Sequence, residues 1–521
     1  MKLSRNVALG FANSAFSAAV GIAVVPIYIQ HIGIASYGII GFFATTQALV
    51  QLLDIGLSTT MNREVARSGA AGSGRHLGNL LHTLSAFYWT TALLIAGSGL
   101  VVGPLLATVW LNPGSLSGDT VRTSVILLWF VIACRWPIGL YQGVLLGAHK
   151  LQLTSVVSIV MTAVGSLGAV LVLAHVAPTI EAFFIWQAVV GVSHALLMRR
   201  LAWREIGTSE TRLDWSELRR VWKFTAGMSG VAVTGMLLMQ TDKIVLSKLL
   251  TLEAFGQYMV ATVISGGLYL ILSPTFNLIF PRLSSLLLNP EHGELCNYYR
   301  RGTRALTAVL FPLATVLVVF AHDIIFLWTR NAALADASAP IVRLFLVGTT
   351  LNGVMHFPYA LQLASGATRT PITINLFLLA LMLPMTVALS VHYGAVGGAA
   401  SWALLNLFYL LLGTWLTHRT LLPGMGARWL VQDVALPLAV TLVIVGTLCV
   451  WLSQSSLPRP LVLLLAVGLM TGFSMLLVNI ERLGFAGRAK PLLPSLADIP
   501  LHLHHNISRA SHDAAGTPKQ S

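Results

Sequence analysis

Apolar runs of 20 residues or more, broken by few charges, recur from one end of the chain almost to the other, and they set the class of fold. The first, Val7 to Ile29, is 23 residues without a charged side chain. A helix needs about 20 apolar residues to cross the hydrocarbon of a bilayer. Only helices and closed barrels satisfy every backbone group there. Barrel strands are about 10 residues long and alternate in polarity, so these uninterrupted runs exclude them. Of the 521 residues, 56% are hydrophobic and 10% charged, against about 25% charged in soluble domains. A soluble protein of this size could not cover its surface with so few charges, which excludes a large soluble enzyme. The expected class is an all-α polytopic membrane protein.

We read fourteen spans between residues 6 and 480. The first is too long for the h-region of a cleaved signal, about 7–15 residues, and is read as a retained helix. Its basic Lys2 and Arg5 hold the N-terminus in the cytoplasm. Numbering the connections from there, 25 of the 32 Lys and Arg residues fall on the even-numbered connections and the termini. The net charge of +14 therefore reports orientation, with both termini cytoplasmic, and calls for no nucleic-acid partner. Cys134, Cys296 and Cys449 are too scattered for a disulfide framework or a thiolate site.

The chain also repeats itself. Ser36-Tyr37-Gly38 returns as Ala254-Phe255-Gly256, Tyr141 as Tyr359, and Gly147-Ala148 as Gly366-Ala367, all at an offset of 218 or 219. Two six-helix lobes in the same orientation follow, a transporter arrangement with the substrate site between the repeats. The expected organisation is a first lobe over 1–205, a cytoplasmic linker over 206–221, a second lobe over 222–421, two additional helices over 422–480, and a polar tail over 481–521. The His502-Leu503-His504-His505 stretch is read as part of that tail, not as a metal site.

Several of these residues carry a family resemblance. Val25-Pro26, the Gly33…Tyr37-Gly38 turn, Leu53-Asp54-Ile55-Gly56-Leu57 with Asn62-Arg63, Gln240-Thr241-Asp242-Lys243, Phe255-Gly256-Gln257-Tyr258 and Tyr393-Gly394-Ala395-Val396-Gly397-Gly398 together resemble Wzx-type polysaccharide flippases. These belong to the multidrug/oligosaccharidyl-lipid/polysaccharide exporter superfamily. The resemblance runs from about residue 5 to 420. It implies two six-helix bundles around a cavity open alternately to either side, and transport of a polyprenyl-diphosphate-linked oligosaccharide across the inner membrane in cell-surface polysaccharide biosynthesis. The partners considered with it are that glycan lipid, the bilayer, an H+ or Na+ gradient, and polysaccharide polymerase and chain-length proteins. The two extra C-terminal spans are a departure, shared with lipid II flippases and some exopolysaccharide exporters.

Ionisable groups within spans are functional candidates because they are costly there. Arg135 lies midway along the fourth span, and its planar guanidinium suits phosphate oxygens; the alternative is a structural charge satisfied by carbonyls. Asp242 and Lys243 are adjacent on the seventh span and point apart, so Asp242 is expected to pair with Arg343 or Arg122 as an outer gate, or as a structural interhelical pair. Asp54 is read as a titrating group or as a cap near Gly56. Asn13, Ser14 and Ser17, with Gln47 and Gln51, form polar stripes that line a wet cavity or join helices. Lys243 and Arg122 are grouped with Arg135 as substrate-binding candidates, and Asp242, Arg343 and Asp54 as gating or coupling candidates. His31, His194 and His356 are isolated and read as packing residues.

The chain holds no G-x-x-x-x-G-K-[ST] or H-E-x-x-H motif and no nucleophile elbow. No enzymatic activity, cofactor or metal is expected. The rival readings are a cation-coupled drug or metabolite antiporter of the same superfamily, which would want an aromatic, acidic cavity, and a membrane polymerase or ligase. Reporter fusions test the orientation. Those at Gly118, Thr251 and Ser456 should read outside and those at Gly72 and Gly207 inside; a cytoplasmic reading at Thr251 would break the two-lobe register.

Overall fold

In the computed structural model the described residues are 2–54, 56–68, 74–207, 211–214, 230–288, 292–367 and 369–486. The expected readings at Gly72, over most of the linker and in the tail beyond residue 486 lie outside them. Among the described residues the fold is helical, and the sole bridge between extended residues joins Asn112 and Thr251. Eleven helices among the described residues are long and apolar enough to cross a membrane. The described residues of the expected spans lie largely on helix, and two of the longest helices each carry a break. Helix α1 (Lys2–Gln51) turns at Gly33, where φ is 79°. The 53-residue helix Arg369–Leu421 turns at Gly394, where φ is 57°. Only glycine takes such a backbone without strain, so Gly33 and Gly394 mark where one crossing ends and the next begins.

Helices α2 (Leu57–Ser68), α3 (Gly74–Leu105), α4 (Gly118–Arg135), α5 (Ile138–Gly147), α6 (Leu151–His175) and α7 (Ile180–Ile206) complete the first half of the chain. Two expected boundaries are corrected. The second span ends at Gln51 and a short turn, and residues after Gly56 form α2 as a separate amphipathic helix. The fourth span breaks between α4 and α5 because Pro137 has no N–H for the carbonyl of Ala133. The Trp136 N–H takes up the slack, donating to both Ile132 O (3.0 Å) and Ala133 O (3.3 Å). The second half opens with α8 (Gly230–Leu249), α9 (Leu252–Gly266), α10 (Tyr269–Leu288) and α11 (His292–Val319).

The chain forms two compact units. One comprises 1–274, 317–351 and 372–409. Its tightest seam joins α1 to α9, and the seam is reciprocal. A Cβ on Gly38 would lie 2.2 Å from Leu252 O, and one on Gly256 would lie 2.2 Å from Ile34 O. A Cβ on Gly41 would meet Met259 Cγ at 2.3 Å. Residues 34, 38 and 41 stand 218 positions before 252, 256 and 259, so each repeat offers the other the same surface, as in a two-fold interface. Beside it Leu252 N–H donates to Asn112 O (2.9 Å) and Trp110 Nε1 to Ser247 Oγ (3.0 Å). Outward faces are bare hydrocarbon: Leu93, Leu100 and Val101 are each more than 60% exposed, a surface suited to lipid. This is a multi-pass membrane protein.

The other unit comprises 275–316, 352–371 and 410 onward. Its core gathers Tyr299, Phe357, His418 and Trp429, with centroids 5.2–5.8 Å apart. Asp433, fully buried in a π turn of the first additional helix, accepts from Arg300 Nε at 2.7 Å and from Arg304 one helical turn along α11. Trp429 Nε1 donates to Thr303 Oγ1 at 3.0 Å. These contacts fasten the additional helix to α11.

The seam sets a test. Gly38→Ala would put a methyl against a backbone carbonyl that cannot yield, an overpacking cost of ~1–3 kcal/mol. Gly97→Ala meets nothing within 4 Å and should be neutral or mildly stabilising. Heat-unfolding midpoints in detergent, read as the fraction surviving size-exclusion, should fall for the first variant alone.

Candidate functional site

A cavity of about 1020 Å³ lies within the first unit. It is walled by α1, α4, α5, α6 and α7, with Met236, Val263 and Leu270 from the second repeat. Arg135 reaches it from the last residue of α4, immediately before the break at Pro137. Gly191 lets α7 approach: a Cβ there would stand 3.3 Å from Arg135 Cγ. The guanidinium donates through Nη1 to Gln47 Oε1 (3.2 Å) and through Nη2 to Gln187 Oε1 (2.6 Å). Its carbon lies 5.3 Å from the centroid of the Phe43 ring. Gln187 is itself held, donating from Nε2 to Gly165 O at 3.3 Å. Both acceptors on Arg135 are neutral amides, and among the described residues no carboxylate pairs with it. Two of its five N–H donors are used in these bonds, which leaves capacity for an anionic oxygen.

Of the expected site residues, Arg135, Gln47, Gln51 and Asp54 come together on this cavity. Asp54 caps α2: Oδ1 accepts from Ser58 N (3.3 Å) and Oδ2 from Ser58 Oγ (2.5 Å), while Tyr88 donates a further bond to Oδ1. Asn13 and Ser17 share helix α1 but stand outside the lining, which takes up Ala18 and Gly21 instead. Asn13 Oδ1 is buried without a partner. Arg122 is exposed in the first turns of α4, and Arg343 is exposed with Nε donating to Val318 O at 3.3 Å.

The expected pairing of Asp242 with Arg343 or Arg122 is not what the structure holds. Asp242, fully buried, accepts from Tyr258 OH (2.6 Å) and pairs with its own neighbour, Lys243 Nζ (3.2 Å). The side-chain directions of adjacent helical residues do diverge, but the four-carbon stem of lysine folds back along α8. Its ammonium then donates to Met239 O (2.8 Å) as well as to Asp242. Lys243 thus serves Asp242, and neither residue lines the large cavity. Sequence reasoning missed Gln187 and Tyr258, polar partners on other helices, and Asp433. The lone amide in the apolar run of α7 was the available signal for Gln187.

Comparison with solved structures defines the class first. The chain resembles a lipid II flippase, MurJ, in an inward closed conformation, with a TM-score of 0.67 at 11% identity over 91% of this chain and 99% of that one. An inward-facing multidrug resistance transporter of the MATE family and MOP superfamily aligns with a TM-score of 0.62 at 12% identity, covering 77% and 95%. The MATE multidrug transporter DinF-BH aligns at 0.54 and 13%, covering 82% and 96%. The chain shares the fold of these transporters. The family model described as "Polysaccharide biosynthesis protein" matches residues 32–329, more than half of the chain, and the protein belongs to that family. Comparison with curated proteins finds no match.

The Asp242 cluster gives a direct test. Tyr258→Phe removes one hydroxyl from a buried carboxylate and should destabilise the fold by ~1–3 kcal/mol. An unchanged heat-unfolding midpoint would show that the Lys243 pair alone satisfies Asp242.

Proposed function

We propose that this protein flips a polyprenyl-diphosphate-linked oligosaccharide from the cytoplasmic to the outer leaflet of the inner membrane by alternating access. The observation that carries the reading is Arg135, a permanent cation on the cavity wall whose hydrogen bonds go to neutral amide oxygens. On insertion scales a charge at mid-membrane depth costs at least ~2.5–3.5 kcal/mol, and a diphosphate arriving in the cavity supplies the missing counter-charge. A guanidinium meets such oxygens in pairs. The amides Gln47 and Gln51 suit sugar hydroxyls, while the lipid tail stays in the hydrocarbon. With both termini cytoplasmic, the α1–α9 seam lies at the outer face, at the end of the cavity marked by Tyr37 and Ile40. Outward release then requires that seam to part. Family membership and the likeness to a lipid II flippase support the same reading.

A second reading, antiport of an organic cation, draws on the aromatic walls Tyr28, Phe43, Tyr88 and Trp136 and on Asp54. Its weakness is that Asp54 already accepts from Tyr88 and Ser58. Movement of short-chain polyprenyl-diphosphate glycans in vesicles carrying the purified protein decides between them. Arg135→Ala should slow transfer by tenfold or more, while Arg135→Lys, which keeps the charge and loses the fork, should retain part of it. Normal transfer by an Arg135→Ala protein that accumulates normally would overturn the flippase role of this residue. Failure of that variant to accumulate would make Arg135 structural.

A further inference from the structure

A second, smaller cavity of about 340 Å³ opens between the first half of α3 and the end of α7, beside residue 211 of the linker. His82, Ser85 and Trp89 line it from one face of α3, Arg199 and Trp203 from one face of α7, and Thr211 from the linker. Ser85 is 6% exposed and its hydroxyl has no partner. Arg199 is an exposed cation with no ion pair or hydrogen bond among the described residues. Residues 211–214 are pinned over this place. Thr211 Oγ1 lies 3.1 Å from His82 Nδ1, and Arg212 N and Asp214 N donate to Asn79 Oδ1 (2.8 Å) and Thr83 Oγ1 (2.9 Å).

The surroundings give the ligand's shape. Leu93 follows Trp89 by one turn of α3, Leu196 precedes Arg199 by one turn of α7, and the two are 72% and 48% exposed. Because α3 runs away from the linker and α7 toward it, both leucines lie on the far side of the pocket from the linker. A hydroxyl, a cation and two indoles therefore sit at the head of a bare hydrocarbon stripe, and tryptophan is the side chain favoured where lipid meets water.

We propose that this pocket binds the phosphate of an anionic membrane lipid, with Arg199 and Ser85 on its oxygens, the indoles around the glycerol, and an acyl chain along Leu93 and Leu196. Such a lipid would touch the linker through Thr211, tying the headgroup composition of the leaflet to the segment that joins the repeats. The site is separate from the Arg135 cavity and does not depend on what that cavity carries.

Native mass spectrometry of the full-length protein, titrated with phosphatidylglycerol and with phosphatidylcholine, tests the proposal. Phosphatidylglycerol should be retained about tenfold more tightly, since choline would bring a cation beside Arg199. Arg199→Gln should erase most of that preference, while Arg200→Gln, an exposed neighbour outside the lining, should leave it within about twofold. Ser85→Ala, a small change that preserves packing, should weaken retention several-fold and stands in should Arg199→Gln fold poorly. Competition by inorganic phosphate would support recognition of the anion itself. Equal retention of the two lipids, equal losses in Arg199→Gln and Arg200→Gln, or binding of inorganic phosphate with no lipid retained would each overturn the assignment.

Discussion

The demand that every backbone N–H and C=O find a partner without water is the constraint on which this structure rests. It forces helix almost everywhere and leaves the chain few permitted places to turn. Those places are chemically marked. Gly33 and Gly394 take positive φ, and Pro137 withholds a donor and obliges Trp136 to serve two carbonyls. Each break does something a straight helix could not. The one at Pro137 comes directly after Arg135 and sets it at the junction of two helices, where a guanidinium can reach across to α1 and α7 at once.

Polar groups deep in such a protein are satisfied in different ways, and the differences sort them. Asp433 is clamped by two arginines one turn apart on α11, and Asp242 by a lysine and a tyrosine. Asp54 is used to start a helix. These three carboxylates are already occupied. Arg135 stands apart, because its neighbours are amides that can orient a charge but cannot neutralise it.

The apolar runs and the turn at Gly33 were legible in the sequence, since each depends on residue type and local spacing. The 218-residue offset is a regularity of the sequence, and nothing in it told that residues 34, 38 and 41 would face 252, 256 and 259. Pairings between distant helices were not legible. A helix bathed in lipid is apolar on its packed and its outward faces alike, so its periodicity does not say which way Gln187 or Tyr258 turns. Lys243 escaped for another reason: its reach is set by a flexible stem, and Cβ direction is a poor guide to where the ammonium ends. Asp433 was overlooked because two of the basic residues that hold it, Arg300 and Arg304, look from the sequence like ordinary loop charges.

The reciprocal seam between Gly38 and Gly256 has a consequence for how readily the two repeats separate. At its centre there is no side chain to unlock: helix backbone lies on helix backbone, joined by dispersion, which loses about a quarter to a half of its strength over a gap of 0.5–1 Å. The grip of such a joint depends on shape, and neither pH nor salt has much hold on it. A displacement of about an ångström weakens the contact on both sides of the two-fold at once. The joint therefore has no bond to break at its centre, and parting it needs only room for two backbones to draw apart.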